Sequence, residues 1–183
     1  MTSSRLSQFR EHKDHYFSHG DHSPLSADQR ERFAGLAYFD EDPALSFTVA
    51  PKTDGPGIGE RVELETTDGT TMRFVRAARV TVPIIGQPVE LSVLKDLDRG
   101  RYFLPFRDTT AGEETYQLGR YLDPRERPDG TLVVDFNYAY NPYCAYGDGW
   151  SCPIPPEENV VPVRIEAGER SFGASGEESG AVE

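Results

Sequence analysis

The sequence predicts a mainly β fold: an antiparallel β-barrel or sandwich of about eight strands, with one or two N-terminal helices. Three observations support this prediction. Apolar residues recur at every second position from about residue 45 onward, Gly- and Pro-containing turns separate these runs, and strand and helix patterns do not alternate along the chain. The 183 residues are enough to bury a hydrophobic core.

Helical periodicity is confined to the N-terminal part of the chain. Ser3 or Ser4 can cap a first helix, which Gly20 can end. Ser26 and Gln29 have the spacing of a capping box, which predicts a second short helix that runs to about residue 33.

The strand pattern begins after these helices. The Asp68-Gly69 pair predicts a tight hairpin, and Pro83 and Pro88 bracket a further turn. We expect a single β domain over 1–170, with 1–34 as a helical segment packed on it, and a disordered acidic tail over 171–183. The predicted strands cover about 45–49, 62–65, 71–82, 89–94, 101–106, 115–122, 132–136 and 161–165.

Charge and hydropathy exclude several classes of protein. The formal net charge is −12, which argues against nucleic acid and against anionic membrane surfaces as partners. No apolar run has the ~18 residues of a membrane-spanning helix, and the N-terminal stretch has no apolar segment of the kind found in signal peptides. We therefore expect a soluble, cytoplasmic protein.

The acidic composition has two interpretations. Carboxylates in excess keep a protein hydrated and soluble in a salt-rich, halophilic cytoplasm, at the cost of self-repulsion when salt is low. The alternative is the codon bias of a GC-rich genome, which would account for basic residues that are almost all arginine. Lys13, Lys52 and Lys95 are the only lysines of the chain.

Four segments of the C-terminal half carry a family resemblance. They are GRYLD at 119–123, DFNYAYNPYCA at 135–145, CPIPPEEN at 152–159 and AGE at 167–169. Together they resemble the domain-of-unknown-function 1684 family, and the resemblance extends over nearly the whole chain. It implies no activity, cofactor or catalytic residue.

A buried charge pair is predicted on the strands of this region. If Arg120 and Asp135 point toward the same interior, they can pair near a cavity. A buried charge is costly unless it has good hydrogen bonds. Such a pair therefore either stabilises the fold or forms part of a site that binds a charged ligand. A free Arg120 would suit a carboxylate or phosphate through two parallel hydrogen bonds.

The loop over 137–159 is long and carries four tyrosines and the one tryptophan of the chain. It can close one end of the β structure, or it can wall a pocket, and the two roles are compatible. Our candidate ligand-binding residues are Arg107, Asp108, Tyr116, Arg120, Asp135, Asn137, Tyr140, Asn141, Cys144, Glu158 and Asn159.

The two cysteines, Cys144 and Cys152, leave three alternatives open for Cys144. Reduced thiols are the default expectation where no export signal is found, so Cys144 can be a buried apolar thiol. It can also be a disulfide partner of Cys152, or a nucleophile or metal ligand. No metal site is predicted, and His15 and His19, at i, i+4 spacing, are weak candidates only.

Three functions are compatible with these observations, and the cofactor is unknown. The preferred one is binding of a small ligand in a pocket walled by the tyrosine-rich loop, where Arg120 would bind an anionic group if the ligand carries one. The second is a hydrolase-like enzyme that uses a carboxylate (Asp108, Glu114 or Asp135) with Tyr116 and Arg120, or Cys144 as nucleophile. The third is a structural or interaction module, such as a homodimer formed through an edge strand.

Overall fold

A computed structural model describes residues 4–173 and has the mainly β architecture that the sequence predicts. Eight strands form two antiparallel sheets, which are not closed into a barrel. The strands are β1 Ser46–Val49, β2 Arg61–Glu65, β3 Thr71–Ile84, β4 Gln87–Asp96, β5 Tyr102–Phe106, β6 Arg120–Leu122, β7 Arg125–Glu126 and β8 Leu132–Asp135. Their order is β1-β8-β7 in one sheet and β2-β3-β4-β5-β6 in the other.

Both predicted helices are confirmed, with their caps. Helix α1 spans Arg5–His19, and the Ser4 hydroxyl accepts a hydrogen bond from the backbone N–H of Ser7 at 3.0 Å. Helix α2 spans Ala27–Arg32 and begins with the predicted capping box. No helix within residues 4–173 is long and apolar enough to cross a membrane. Short 3-10 segments lie at Pro43–Leu45, Phe136–Tyr138, Tyr143–Ala145 and Glu157–Asn159.

Two of the predicted strands are wrong in whole or in part. Only the last three residues of 115–122 form a strand, because the Thr115 N–H bonds to the Thr110 carbonyl in a turn and Gly119 has a φ of +101°. Segment 161–165 alternates between buried and exposed residues as predicted, but it pairs irregularly. The Ile165 N–H donates to the Asp108 carboxylate at 2.8 Å instead of to a strand. The short strand β7 was not predicted.

One core lies between the two sheets and includes residues from both. It takes Leu132 and Val134 from β8, Val80 and Leu91 from β3 and β4, and Ile165 from the C-terminal segment. The C-terminal segment therefore completes the core even though it belongs to neither sheet. Residues 174–183, which include most of the predicted tail, lie outside the described residues.

A β-bulge gives the five-stranded sheet a second apolar face. The register of β3 against β4 shifts between Arg76 and Ala78. After the shift, Ala78 faces the core, whereas Phe74, before it, lies on the opposite face. A bulge redirects side chains in this way because an extra residue interrupts the two-residue period. Phe74 joins Leu64, Leu94 and Phe103 in a separate cluster on that outer face.

Candidate ligand-binding site

Arg120 is buried, as predicted, but its partner is not Asp135. Its Nη2 atom lies 3.2 Å from Asp108 Oδ1, and both side chains are shielded from solvent. The remaining bonds of its terminal nitrogens go to the carbonyls of Ile165 (2.8 Å), Glu169 (3.1 Å) and Ala167. The predicted Arg120–Asp135 pair is therefore wrong, because β8 lies in the other sheet and the nearer carboxylate is on the turn after β5.

The other Asp108 oxygen is also fully engaged. It accepts hydrogen bonds from the Ile165 N–H at 2.8 Å and from the Thr110 hydroxyl at 2.8 Å. Arg120 and Asp108 thus form a lock that fastens the C-terminal segment to the sheet. The Arg120 Nε atom has no hydrogen-bond partner among the described residues, but both side chains are shielded from solvent. Neither group is therefore accessible to a ligand or a substrate, and the hydrolase-like arrangement built on them is not supported.

The side chains of the buried asparagines form hydrogen bonds with backbone groups. Asn159 accepts from the Ser92 N–H at 2.8 Å and donates to the Ser92 and Pro105 carbonyls at 2.9 and 2.8 Å. Asn137 bridges to the backbone of Asp42 and donates to Asp135 Oδ1 at 2.9 Å. These amides replace missing strand hydrogen bonds, and they do not approach a cavity.

Cys144 and Cys152 form a disulfide, so the expectation of two reduced thiols is wrong. The bridge closes a loop over a sequence separation of 8 residues, within the tyrosine-rich segment. A sulfur held in a disulfide is neither a thiolate nucleophile nor a metal-binding thiolate. Cys144 therefore takes the second of its three predicted roles.

Three further candidates lie apart from one another. Glu158 forms an ion pair with Arg76 at 2.6 Å. Arg107 lines a small depression beside Val160, and Tyr116 lines a different one, beside Asp68. The structure does not bring these side chains together, so they do not form a common site.

An open cleft of about 400 Å³ lies on the outer face of the five-stranded sheet and is walled by the tyrosine-rich loop. Two of our candidates, Tyr140 and Asn141, line it, together with Tyr143 and Trp150 of the same loop. We refer to it as the aromatic cleft. Its seven aromatic side chains are Phe74, Tyr102, Phe103, Tyr121, Tyr140, Tyr143 and Trp150.

The floor of the aromatic cleft is a continuous row of rings. Phe74 stacks on Phe103 with ring centroids 5.3 Å apart, and Phe103 meets Tyr121 edge-on at 4.8 Å. Tyr121 in turn contacts Tyr140 at 5.8 Å. The strand register explains the row, because Leu94 pairs with Phe103 and places these side chains on one face.

The opposite wall is the pair formed by Tyr143 and Trp150, whose ring centroids are 4.9 Å apart. The disulfide closes the loop that contains Trp150, and Tyr143 directly precedes Cys144, the first residue of that loop. The Thr67 hydroxyl of the β2–β3 turn donates to the Trp150 carbonyl at 3.1 Å. The wall is therefore fastened both covalently and to the sheet.

Asp123 and Tyr140 form the polar end of the cleft. The Tyr140 hydroxyl donates to the two Asp123 oxygens at 3.0 and 3.2 Å. Asp123 is exposed, but neighbouring protein atoms displace part of its hydration shell, and this desolvation raises its pKa. The hydrogen bond from Tyr140 and the charges of Arg101 and Lys13 act in the opposite direction. Burial also raises the pKa of Tyr140, so its hydroxyl stays protonated as a donor.

A buried ion pair lies next to Tyr140, on the side away from the aromatic cleft. Glu169 is 1% exposed, forms an ion pair with Lys13 of α1, and accepts hydrogen bonds from the Tyr146 hydroxyl and from the Asn141 N–H. The Lys13 ammonium lies 5.0 Å from the centre of the Tyr140 ring. Helix α1 is thus tied to the back of the aromatic cleft.

Sequence reasoning missed much of this arrangement. It did not select Glu169, Lys13 or Asp123, although Glu169 ends the AGE segment and Asp123 ends the GRYLD segment. It missed Phe74 and Phe103 because the bulge that turns Phe74 outward has no sequence signal of its own. The signal that did identify the cleft was the clustering of aromatic residues in one long loop.

His15 and His19, the two weak metal-ligand candidates, are neighbours on helix α1. The rings of His15 and His19 stack at 4.7 Å on an exposed face of α1. Within residues 4–173, no group of three or more His, Cys, Asp or Glu side chains is arranged to hold a metal ion.

The chain is similar to a described protein family and to a solved structure. The family model described as "Protein of unknown function (DUF1684)" matches residues 31–170. The solution NMR structure of an uncharacterized protein of Haloarcula marismortui is similar, with 38% sequence identity and a TM-score of 0.68. The similarity covers 91% of this chain and 92% of that one. A search of curated proteins found no match.

Proposed function

The chain belongs to the DUF1684 family, and we propose that this member binds a small aromatic molecule with an anionic group in the aromatic cleft. The observation that carries the proposal is the row of rings from Phe74 to Tyr140, facing the wall of Tyr143 and Trp150. Aromatic rings pack well on such surfaces in stacked or edge-on arrangements. Ligand sites are typically concave and apolar, with a few placed polar groups.

The charged side chains of the cleft support an anionic ligand. Asp96 Oδ1 already accepts the N–H groups of Asp98 and Arg99 at 2.8 and 2.9 Å, and Asp123 is engaged by Tyr140. The guanidinium groups of Arg99 and Arg101, by contrast, have no hydrogen bond to another residue of the described chain. They are the cleft groups available to a carboxylate, sulfonate or phosphate. Arg120, the residue first considered for this role, has its terminal nitrogens occupied.

Trp150 provides the test, because it is the one tryptophan of the chain and lies in the wall of the cleft. We expect 2-naphthoate to change Trp150 fluorescence saturably. We expect 2-naphthamide, which has the same rings without the charge, to bind about tenfold more weakly. That ratio corresponds to about 1.4 kcal/mol, close to the lower end of the range for one hydrogen bond to a charged group.

Matched variants separate the cleft from non-specific attraction. Arg101→Gln should weaken 2-naphthoate binding about tenfold and leave 2-naphthamide binding unchanged. Arg127→Gln, which removes an exposed arginine next to β7 in the other sheet, should change neither. Absence of a saturable change in Trp150 fluorescence with either probe would overturn the proposal. Equal binding of both probes would contradict the proposal that the ligand carries an anionic group.

A further inference from the structure

A second cleft, of about 350 Å³, lies on the other side of the Asp123–Tyr140 pair. Helix α1 contributes Arg5 and Phe9 to it, and β6 contributes Leu122. Its lining includes Asp123 and Tyr140, which also line the aromatic cleft, so this hydrogen-bonded pair is a partition between the two. We refer to this space as the helix cleft.

The helix cleft has an apolar interior. Leu122, at its floor, is only 3% exposed, and Val133 of β8 lies beside it. Phe9 packs on Tyr138 with ring centroids 5.0 Å apart, and this pair forms the wall on the side of α1. Phe9 is nevertheless 37% exposed, so the space between helix and sheet is open to solvent.

The charged side chains around the helix cleft differ in whether they form hydrogen bonds within the protein. Asp135 Oδ1 accepts from the N–H and the side-chain amide of Asn137 at 3.1 and 2.9 Å. Asp123 accepts from Tyr140. Among residues 4–173, however, neither Arg5 nor Arg125 has a side-chain hydrogen bond or ion pair. Two free guanidinium groups therefore border an apolar space whose carboxylates are already hydrogen-bonded.

We infer that the helix cleft is a second binding site, for an amphiphilic carboxylate with a short aliphatic chain. The chain would lie against Leu122, Val133 and Phe9, where its burial is favourable. The carboxylate would be held by Arg5 and Arg125, in the fork geometry that arginine offers to such groups. The inference goes beyond the proposed function and does not require it, because the two sites use different arginines and share only the Asp123–Tyr140 partition.

Octanoate is a suitable probe, and titration calorimetry is the measurement. We expect saturable binding to the intact protein and at least tenfold weaker binding of octanamide, which has the same chain without the charge. Arg125→Gln and Arg5→Gln should each weaken octanoate binding several-fold, since each removes one guanidinium. Arg127→Gln, two residues beyond Arg125 on the same hairpin, should not change it. All three arginines are exposed, and melting curves verify that the variants fold.

Trp150 distinguishes this inference from the proposed function. It lines the aromatic cleft and not the helix cleft, so octanoate should bind without changing its fluorescence. Octanoate binding that is unchanged in both Arg5→Gln and Arg125→Gln would overturn the inference, as would absence of octanoate binding. A saturable octanoate response at Trp150 that is lost in Arg101→Gln would move the ligand to the aromatic cleft and would also overturn it.

Discussion

Arg120 has the largest fully buried side chain of the described residues, and carbonyl oxygens accept most of its hydrogen bonds. Asp108 supplies the compensating charge. Desolvation lowers the pKa of Arg120, and the Asp108 carboxylate opposes this effect. The pair thus holds the C-terminal segment in place as long as both partners are present.

Removal of one partner should be costly. Asp108→Ala leaves the Arg120 charge buried and uncompensated, and we expect the free energy of unfolding to fall by about 3–5 kcal/mol. Glu63→Ala is the control, because Glu63 and its partner Arg73 are both exposed and their side chains lie 3.9 Å apart. Its ion pair should contribute less than about 1 kcal/mol. Chemical denaturation measures both, and equal losses would contradict the role assigned to Asp108.

Asp123 gives a prediction about pH. Its pKa is raised in the folded protein above the ordinary value of about 3.9, so the folded state favours the protonated form. The associated stability is present below about pH 3.9 and is lost as the pH rises through the raised pKa. Asp123→Asn does not titrate, and its amide oxygen can still accept from Tyr140. The variant should therefore gain stability relative to the wild type as the pH increases from 3.5 to 7, as measured by denaturation at each pH. A constant difference would contradict the desolvation of Asp123.

At the scale of elements, turns and short irregular segments place the residues of the core and of the clefts. Gly168 lies between Ala167 and Glu169, two of the three C-terminal residues whose carbonyls accept from Arg120, and has a φ of +77°. A Cβ at this position would lie 2.6 Å from the Ala139 carbonyl oxygen. A glycine is required there for two reasons: its backbone conformation and the close approach of the neighbouring chain.

Gly168→Ala should therefore destabilise the protein more than a matched glycine substitution. Gly130 has nearly the same φ, +80°, but nothing lies within 4 Å of its hypothetical Cβ. Gly130→Ala should cost about 1–2 kcal/mol for the left-handed conformation alone. Gly168→Ala should cost at least about 2 kcal/mol more, because backbone atoms must move. Thermal or chemical unfolding of the two variants measures the difference, and similar losses would contradict the steric argument.

The same elements show what the sequence could and could not predict. Caps and turns are local, so Ser4, Ser26 and the Asp68-Gly69 turn were sufficient to predict both helices and the first hairpin. The partner of Arg120 depends on which segments lie beside β6 in the folded protein. The prediction of Asp135 as that partner was wrong because the arrangement of the strands is set by the whole fold and not by local sequence. The row of rings on the outer face of the sheet depends on the bulge at 76–78, which the strand pattern of β3 does not reveal.

At the scale of the whole molecule, the net charge of −12 should make stability depend on salt. Mutual repulsion of carboxylates is screened as ionic strength increases. We expect the melting temperature to rise between 0.1 and 2 M NaCl. The rise should be smaller when Glu41, Asp54 and Glu65, which are exposed and without an ion-pair partner among residues 4–173, are replaced by amides. A flat response in the wild type, or an equal rise in the triple variant, would contradict this prediction.

The aromatic cleft is the central claim, and the indole N–H of Trp150 tests it most directly. A single tryptophan gives a single indole signal in a 1H–15N correlation spectrum. We predict that this signal shifts progressively and saturably as 2-naphthoate is added, together with the backbone signals of Tyr121 and Tyr143, which line the same cleft. An indole signal that stays in place while signals elsewhere in the protein shift, or a spectrum without any change, would contradict the claim.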